Sequence, residues 1–192
     1  MTRIVVTHHN ADLDALACLV AAAKLYGATP VIPSFVNPAV RRADLHKDHL
    51  GVISVAEVDA PTFVAVVDVR DARRLKDTAR FIDAAERVVV WDHHPASEFD
   101  VRADEVHIEP VGACIPLLME ALLEAQVTIS SEDVQPATLF MLGIYSDTGR
   151  LSLRLDQPRD AKIAAWLLAP GANLRVLRAT CSVVFSRPAR CS

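Results

Sequence analysis

The sequence predicts an α/β fold with three layers: an open, mainly parallel sheet with helices on both faces. Short runs rich in valine and isoleucine, typical of strands buried on both faces, alternate with longer Ala- and Leu-rich segments that favour helices. This alternation is characteristic of βαβ units. A chain of 192 residues that is 52% hydrophobic is long enough for one domain with a sizeable core.

The elements follow in order along the chain. The first βαβ unit is a β-branched strand, an Ala- and Leu-rich helix closed by Gly27 in the C′ position, and a second apolar run. Asp71 is the expected N-cap of the helix at 72–85, and Pro116 fits the first turn of the helix at 117–125. Strands are predicted at 4–6, 31–35, 52–55, 62–67, 88–91, 106–108 and, as an exposed edge, 151–155. Helices are predicted at 13–26, 38–50, 72–85, 117–125, 134–145, 159–169 and from residue 173 onward.

Composition and charge argue against several functional classes. The net charge is −4 and the pI is about 5.9, so no basic excess indicates a surface for duplex nucleic acid or membrane. The four cysteines are widely spaced and form no CxxC pair, which fits a reducing compartment. The sequence shows no signal-peptide pattern and no apolar run long enough to cross a bilayer. We therefore expect a cytoplasmic protein with no membrane partner.

The apolar run 88–91 stops abruptly at Asp92, His93 and His94, followed by Pro95. Because open α/β sheets place their ligand sites beyond the carboxyl ends of the strands, these three ionisable side chains indicate a site. Imidazole and carboxylate together suit Mn, Zn, Fe or Mg. A chance acidic and histidine cap on a strand end is the alternative, since adjacent histidines also occur on loops.

A second group of ionisable residues follows the first predicted strand. His8, Asp12 and Asp14 lie on the turn that leads into helix 13–26, where the helix dipole favours negative charge. A single acidic residue there is explained as an N-cap. One histidine and two aspartates exceed what capping requires, so metal binding is the favoured interpretation.

Two further aspartates follow apolar elements. Asp68 comes directly after the strand at 62–67, so it is expected on the same sheet edge as His8 and Asp92. Asp147 follows a buried helix and stands between Gly143 and Gly149. An ordinary helix C-terminal turn is the alternative for Asp147, but an acidic residue is electrostatically unfavourable there and indicates a positive group nearby.

Together these segments supply six ligands of nitrogen and oxygen type, too many for one structural zinc. They suit two divalent ions that share a bridging carboxylate and lie roughly 3.5–4 Å apart, as in phosphoryl displacement. A water that bridges the ions would be the nucleophile. Asp92 is expected to orient a histidine ring, and His94 to face a phosphate oxygen or donate a proton. The predicted metal ligands are His8, Asp12, Asp14, Asp68, His93 and Asp147.

Four motifs carry a family resemblance: THHNADLDA, VVDVRD, WDHHP and GIYSDTGRL. In order and spacing over residues 4–150 they resemble the DHH phosphoesterase superfamily, which includes single-strand exonucleases, oligoribonucleases, cyclic-dinucleotide phosphodiesterases and type II inorganic pyrophosphatases. The resemblance implies two Mn²⁺ ions, with Mg²⁺ or Co²⁺ as alternatives. One ion would be held by His8, Asp12 and Asp68. The other would be held by Asp14, Asp68, His93 and Asp147, so that Asp68 bridges the two.

The same resemblance implies further roles near the metals. Asp68, Asp92 and His94 are the expected catalytic residues, with His94 in contact with the scissile phosphate. His9 and Asn10, in the first motif, are expected to bind substrate together with His94.

The residues of the motifs, together with the later segment AAWLLAPGANL, are most similar to those of a narrower group within the superfamily. These are the DHH modules of long chains that also carry paired CBS domains and a tRNA nucleotidyltransferase/poly(A) polymerase-type head. DHH phosphodiesterases normally continue into a substrate-binding domain with a GGGH motif, which this sequence lacks. We expect a DHH domain at 1–178 and an irregular tail at 179–192, consistent with a truncated or frameshifted end.

The leading functional hypothesis is a Mn²⁺-dependent phosphoesterase that cleaves phosphodiester bonds of small or single-stranded nucleotides. Inorganic pyrophosphatase or exopolyphosphatase activity is the alternative among enzymes. A non-catalytic remnant of a tRNA nucleotidyltransferase-associated module, which binds metal or nucleotide without turnover, is the alternative from another class. The expected partners are a phosphorylated small molecule, a nucleotide or a short single-stranded nucleic acid. An exposed apolar face predicts a homodimer.

Overall fold

The computed structural model describes residues 2–42, 50–129, 134–152 and 158–184. Its strands are β1 (Arg3–Val6), β2 (Thr29–Ile32), β3 (Ile53–Ser54), β4 (Phe63–Val67), β5 (Arg87–Asp92) and β6 (Glu105–Ile108). Its α-helices are α1 (Leu13–Tyr26), α2 (Pro38–Arg42), α3 (Arg80–Ala84), α4 (Ile115–Glu124), α5 (Val134–Asp147), α6 (Pro158–Trp166) and α7 (Leu174–Val184).

The six strands form one fully parallel sheet in the order β3-β2-β1-β4-β5-β6. The chain builds outward from β1 through β2 to β3, then returns to the other side of β1 and builds outward again through β4, β5 and β6. The strand order therefore reverses between β1 and β4. In open parallel sheets, the crevice at the carboxyl ends of two such strands is where ligands bind.

Alternating side chains of the strands form two apolar cores, one on each face of the sheet. Val5 and Ala65 face the larger core, which α1, α4, α5, α6 and α7 cover. Ile4 and Val64 face the smaller core, which Phe81 of α3 and neighbouring loop residues close. Because both faces are covered, the central strands are apolar throughout. The predicted three-layer α/β fold is confirmed.

Helices α1 and α5 pack closely because Gly143 has no side chain. A Cβ built at Gly143 would lie 3.0 Å from Cβ of Ala17 and 3.1 Å from Oδ1 of Asp14. At its carboxyl end α1 terminates as predicted: Gly27 has a φ of 57°, and its N–H donates to the carbonyl of Ala23.

The helix predicted at 72–85 is instead two 3₁₀ turns, Ala72–Arg74 and Lys76–Thr78, followed by α3. Lys76 has a φ of 52°, a left-handed conformation that interrupts a right-handed helix. The N-cap was predicted correctly, since Asp71 accepts a 2.9 Å hydrogen bond from the N–H of Arg73.

The strand predicted at 31–35 begins earlier and ends earlier, as β2 (Thr29–Ile32). Pro33 follows immediately and has no N–H to donate to a neighbouring strand, so the ladder stops there. Phe35 consequently lies in a loop with 44% of its surface exposed.

Three sequence predictions differ from the structure or lie partly outside the described residues. They are the irregular tail at 179–192, the edge strand at 151–155 and the helix at 38–50. Helix α7 runs through Val184, so residues 179–184 of the expected irregular tail are helical, because Leu177 and Cys181 pack one turn apart against the core. Leu151 and Ser152 form a turn rather than a strand, since the N–H of Ser152 donates to the carbonyl of Thr148. The rest of the predicted helix, strand and tail lies outside the described residues, at 43–49, 153–157 and 185–192.

In the described ranges no helix combines the length and hydropathy that a membrane span requires. Within the same ranges Cys18, Cys114 and Cys181 are free thiols, all buried.

Candidate metal centre

Acidic and histidine side chains from five elements meet at the crevice beyond β1 and β4. His8 follows β1, Asp68 follows β4, and His93 follows β5, while the start of α1 and the end of α5 bring aspartates to the same place. One group, whose ligand-type atoms all lie within 4.8 Å of one another, consists of His8, Asp12 and Asp68. A second group with the same spacing consists of Asp14, Asp68, His93 and Asp147. All six residues predicted from the sequence as ligands are therefore brought together, and Asp68 belongs to both groups.

Asp68 lies between the two groups and faces each with a different oxygen. Its Oδ2 lies 3.5 Å from Nε2 of His8, and its Oδ1 lies 3.5 Å from Nε2 of His93. The residue is 1% exposed, and its φ of 56° is left-handed, which is uncommon for a residue with a side chain. Its N–H donates to the carbonyl of Trp91 at 2.9 Å, which holds this turn against β5. A strained, buried carboxylate that faces two ways is suited to bridging two cations.

The two histidine rings are oriented by backbone carbonyls. Nδ1 of His8 lies 2.9 Å from the carbonyl of His9, and Nδ1 of His93 lies 3.0 Å from the carbonyl of Val111. A carbonyl only accepts, so Nδ1 carries the proton in each ring and Nε2 is the nitrogen that offers a lone pair in the neutral form. This arrangement is usual for metal-binding histidines.

Three buried atoms in the cluster have no hydrogen-bond partner in the described part of the chain: Nε2 of His8, Oδ1 of Asp68 and Nε2 of His93. Buried polar atoms are almost always paired, and an unpaired one calls for an ion or a water. The donor set of imidazole nitrogens and carboxylate oxygens fits borderline or hard divalent ions such as Mn²⁺. The residues present therefore fit the metals that the sequence predicts.

Asp14 is fixed by the start of α4. Its Oδ2 accepts from the N–H of Cys114 at 2.6 Å, and its Oδ1 accepts from the N–H of Ile115 at 3.1 Å. The free N–H groups of a helix start favour a negative charge. Asp14 is fully buried, and these two hydrogen bonds favour its charged form.

The segment 111–115 thus positions two ligands of the second group, His93 through Val111 and Asp14 through Cys114 and Ile115. The segment is itself held by Asp160 of α6, whose Oδ2 accepts a 3.1 Å hydrogen bond from the N–H of Gly112. Asp160 is fully buried. Sequence reasoning missed it, because an aspartate in the first turn of a helix gives no local sign of a distant partner.

Asp12 caps α1 and also belongs to the first group. Its Oδ1 accepts from the N–H of Ala15 at 3.1 Å, so the capping and metal-binding interpretations of this residue are compatible. Asp147 ends α5, and its Oδ2 lies 3.7 Å from Nε2 of His93. His93 is therefore the positive group that an aspartate at a helix C-terminus was expected to have nearby.

Burial and mutual repulsion dominate the electrostatics of the metal-free cluster. Burial raises the pKa of Asp14 well above its usual value, and the charges of Asp68 and Asp147 add to the effect. Burial together with Asp12 and Asp68 raises the pKa of Asp147 to about 7. Burial opposes ionisation of Asp68 too, but the facing rings of His8 and His93 outweigh it and hold its pKa at about 2.

The histidines show the complementary effect. Burial lowers the pKa of His93, but Asp68 and Asp14 outweigh it and raise that pKa to about 10. Burial likewise opposes the charge on His8, and Asp68 raises its pKa nonetheless. Protons therefore balance the carboxylates in the metal-free protein, in the place where divalent cations would do so.

Asp92 and His94 form a pair at the edge of the cluster. Oδ1 of Asp92, which is fully buried, lies 2.7 Å from Nδ1 of His94 and also accepts from the N–H of His93 at 2.9 Å. The His94 side chain is 39% exposed, so its Nε2 can reach solvent or substrate. Asp68, Asp92, His93 and His94 form a third group of ligand-type atoms within 4.8 Å of one another.

His9 and Asn10, the other predicted substrate-binding residues, lie outside these three groups. The His9 ring stacks on Phe35, and its Nδ1 lies 3.9 Å from Oδ1 of Asp77. Asn10 is exposed and has a φ of 69°. Both stand on the loop that carries His8.

Comparisons with known proteins agree with the fold and the motifs. Curated relatives include the A-adding tRNA nucleotidyltransferase of Geobacter sulfurreducens, 34% identical over 181 residues, and that of Aquifex aeolicus, 33% identical over 177 residues. They cover 91% and 92% of this chain, but the chain spans only 20% of the length of each.

Among solved structures, a Methanococcus jannaschii protein assigned to the family II inorganic pyrophosphatases has a TM-score of 0.69 at 20% identity, covering 93% of this chain and 61% of that one. An exopolyphosphatase-related protein from Bacteroides fragilis has a TM-score of 0.72 at 16% identity, covering 98% of this chain and 57% of that one. At these identities the likeness concerns the fold. The family model for the N-terminal domain of the DHH family matches residues 3–144. The four motifs occur in order, their ionisable side chains meet at one crevice, and the family model matches most of the chain. The chain therefore belongs to the DHH family.

Proposed function

We propose that this chain is a metal-dependent phosphohydrolase that uses two Mn²⁺ ions to cleave phosphodiester bonds in small or single-stranded nucleotides. The observation that carries the proposal is the position of Asp68, whose two oxygens face two separate groups of ligand atoms. His8, Asp12 and Asp68 would hold one ion. Asp14, Asp68, His93 and Asp147 would hold the other. Mg²⁺ and Co²⁺ are alternatives with the same preference for oxygen and imidazole ligands.

Two bound cations supply the positive charge that stabilises the attacking and leaving oxygens of a phosphoryl displacement and makes water a better nucleophile. The residues of the chain supply position. Backbone carbonyls orient His8 and His93, and the start of α4 orients Asp14. Such preorganisation matters because no reorientation is then needed during the reaction.

His94 is the proposed contact to the scissile phosphate. Asp92 holds its Nδ1 at 2.7 Å, which fixes the ring and leaves Nε2 directed away from the buried carboxylate. In that orientation a protonated His94 donates a hydrogen bond to a phosphate oxygen or a proton to the leaving oxygen. Asp92 is thus a positioning residue in this proposal.

A nucleotide substrate is supported by the curated relatives, which are tRNA nucleotidyltransferases, and by the acidic net charge of −4, which disfavours long duplexes. Hydrolysis of inorganic pyrophosphate or polyphosphate is the second candidate, and the solved structures of similar fold favour it. A non-catalytic metal-binding or nucleotide-binding module is the third. Convergence of all six ligands argues against that third candidate, since a remnant has no reason to keep them together.

Mn²⁺-dependent hydrolysis of bis-p-nitrophenyl phosphate, a short oligoribonucleotide and inorganic pyrophosphate tests these functions. Asp68→Ala should abolish activity because it removes a ligand from both groups. Asp83→Ala, which changes an exposed aspartate of α3 on the opposite face of the sheet, should leave activity unchanged. Diester hydrolysis that requires Mn²⁺ and is lost only in Asp68→Ala supports the proposal. Hydrolysis of pyrophosphate alone would favour the second candidate.

Two negative outcomes separate the remaining possibilities. A folded protein that binds two Mn²⁺ ions without hydrolysing any of the three compounds would contradict the enzymatic proposal and favour the binding module. A folded protein that binds no divalent ion would contradict the metal centre itself. The cytoplasmic location and the homodimer expected from the sequence stay predictions.

A further inference from the structure

An exposed aromatic cluster stands next to the metal centre. Phe35 is 44% exposed, and its ring stacks on the His9 ring with centroids 5.3 Å apart and planes inclined by 21°. The guanidinium carbon of Arg41 lies over the Phe35 ring, 5.3 Å from its centroid. The His9 side chain is itself 39% exposed. We call His9, Phe35 and Arg41 the aromatic platform.

Hydrogen bonds hold together the two loops that carry His9 and Phe35, although the two rings are only partly buried. The N–H of Asn10 donates to the carbonyl of Phe35 at 3.0 Å, and the N–H of Asn37 donates to the carbonyl of Ala11 at 2.9 Å. Ala11 and Val36 form a parallel bridge between the same two loops. A single exposed phenylalanine needs no explanation. One held in a stack by its own loop pairing presents a preorganised surface to a ligand.

The platform and the metal centre share one stretch of backbone. His9 follows His8 directly, and the carbonyl of His9 is the acceptor that orients Nδ1 of His8. The N–H of His9 is in turn held by the carbonyl of Arg74 at 2.8 Å. Because the loop of Phe35 is paired with the residues that directly follow His9, the platform adjoins the loop that carries the predicted ligands His8 and Asp12.

Flat aromatic surfaces beside a phosphate-binding site suit a nucleobase, because each base has a π-face that stacks on aromatic rings and on the arginine plane. Inorganic pyrophosphate and polyphosphate have no apolar face and gain nothing from such rings. We propose that the aromatic platform binds the nucleobase next to the scissile phosphate and makes this centre selective for nucleotides over inorganic phosphate polymers. This inference rests on the proposed function and deepens it by naming the part of the substrate that is recognised.

The test compares a short oligoadenylate with an abasic ribose-phosphate oligomer of the same length, in the Mn²⁺-loaded protein. Phe35→Ala should lower the ratio of kcat/KM for oligoadenylate to kcat/KM for the abasic oligomer by about tenfold, given that base–aromatic stacking is worth roughly 1–3 kcal/mol per base. Phe35→Trp, which keeps an aromatic face, should restore the ratio. Leu123→Ala is the control, because Leu123 is 38% exposed near the opposite end of α4 from the residues that hold Asp14, and it should change neither constant.

A binding measurement separates failure of this inference from failure of the proposed function. Adenosine monophosphate and ribose 5-phosphate are titrated into the Mn²⁺-loaded protein, with and without Phe35→Ala. Tighter binding of adenosine monophosphate that is lost in Phe35→Ala supports the platform, even if no hydrolysis is detected. Equal kcat/KM for the two oligomers, unchanged by Phe35→Ala in an active protein, would overturn the platform while leaving the phosphohydrolase proposal in place.

Discussion

Gly143→Ala is a sharp test of how α5 supports the metal centre. The added Cβ would lie 3.1 Å from Oδ1 of Asp14 and 3.2 Å from its Cα, closer than an ordinary contact between such atoms. Either α5 moves away from α1 by a few tenths of an ångström, or the Asp14 carboxylate turns away from the N–H groups of Cys114 and Ile115. Both movements displace a predicted ligand of the second metal group.

The added methyl group has two opposing effects on the free energy of unfolding. Alanine is preferred over glycine inside a helix by about 1 kcal/mol, while overpacking a tight contact costs typically 1–3 kcal/mol. We therefore expect the free energy of unfolding of the metal-free variant to fall by no more than about 2 kcal/mol. Mn²⁺ affinity should fall more clearly, by roughly tenfold or more, the size of effect seen when groups that orient metal ligands are disturbed.

The matched control is Gly27→Ala. Gly27 has a φ of 57°, and a Cβ there would meet nothing within 4 Å, so this variant carries backbone strain without contacting any ligand. It should lose about 1–2 kcal/mol of stability and keep wild-type Mn²⁺ affinity. Urea unfolding and calorimetric Mn²⁺ titration measure the two quantities. Equal Mn²⁺ affinities for Gly143→Ala and Gly27→Ala would refute the reasoning.

Four further predictions follow from the site. Because the pKa of Asp147 is raised to about 7 and that of His93 to about 10, Mn²⁺ must displace protons, so its affinity should rise between pH 6 and 8 with proton release detectable in buffers of different ionisation enthalpy. The raised pKa of His93 also means that the metal-free protein should lose stability as pH rises from about 6.5 to about 10, as urea unfolding at several pH values would show. Asp160→Ala leaves the buried N–H of Gly112 without its acceptor, so the free energy of unfolding in urea should fall by about 1–3 kcal/mol and Mn²⁺ binding should weaken. Asp160→Asn should lie closer to wild type in both measurements. Unaltered Mn²⁺ binding in Asp160→Ala would show that the segment 111–115 does not position the metal ligands. His94→Asn should keep two bound Mn²⁺ ions and lower the hydrolysis rate by about 10²–10⁴, and a rate within a few-fold of wild type would remove His94 from the chemistry.

Most strand positions and the residues of the candidate site were predictable because each rests on local sequence. Continuous apolar runs mark the buried parallel strands, and the ionisable residues directly after them fall at one edge of the sheet whatever the strand order is. His8, Asp68 and His93 were found in this way. Asp147 was found because an aspartate at a helix C-terminus contradicts the helix dipole and needs a partner.

What escaped prediction depends on contacts between distant segments. The bonds from Gly112 to Asp160 and from Cys114 to Asp14 join residues far apart in sequence, and neither leaves a periodic or compositional mark. The break at Lys76 and the early end of β2 at Pro33 are local, but they compete with patterns that otherwise favour a longer helix and a longer strand. Helical residues 179–184 were missed although Leu177 and Cys181 have the i, i+4 spacing of a helix face that packs on the core.

The two groups that share Asp68 draw on distant parts of the chain, from His8 near its beginning to Asp147 at the end of α5. Cations bound there would act as cross-links, closing loops that span most of the domain. Closing long loops reduces the conformational freedom of the unfolded chain, and ions that bind only the folded state stabilise it in proportion to the logarithm of their free concentration. Each tenfold increase in free Mn²⁺ above its dissociation constant should then add up to about 1.4 kcal/mol per site to the free energy of unfolding. The thermal stability of this domain would in that way report the manganese supply of its surroundings.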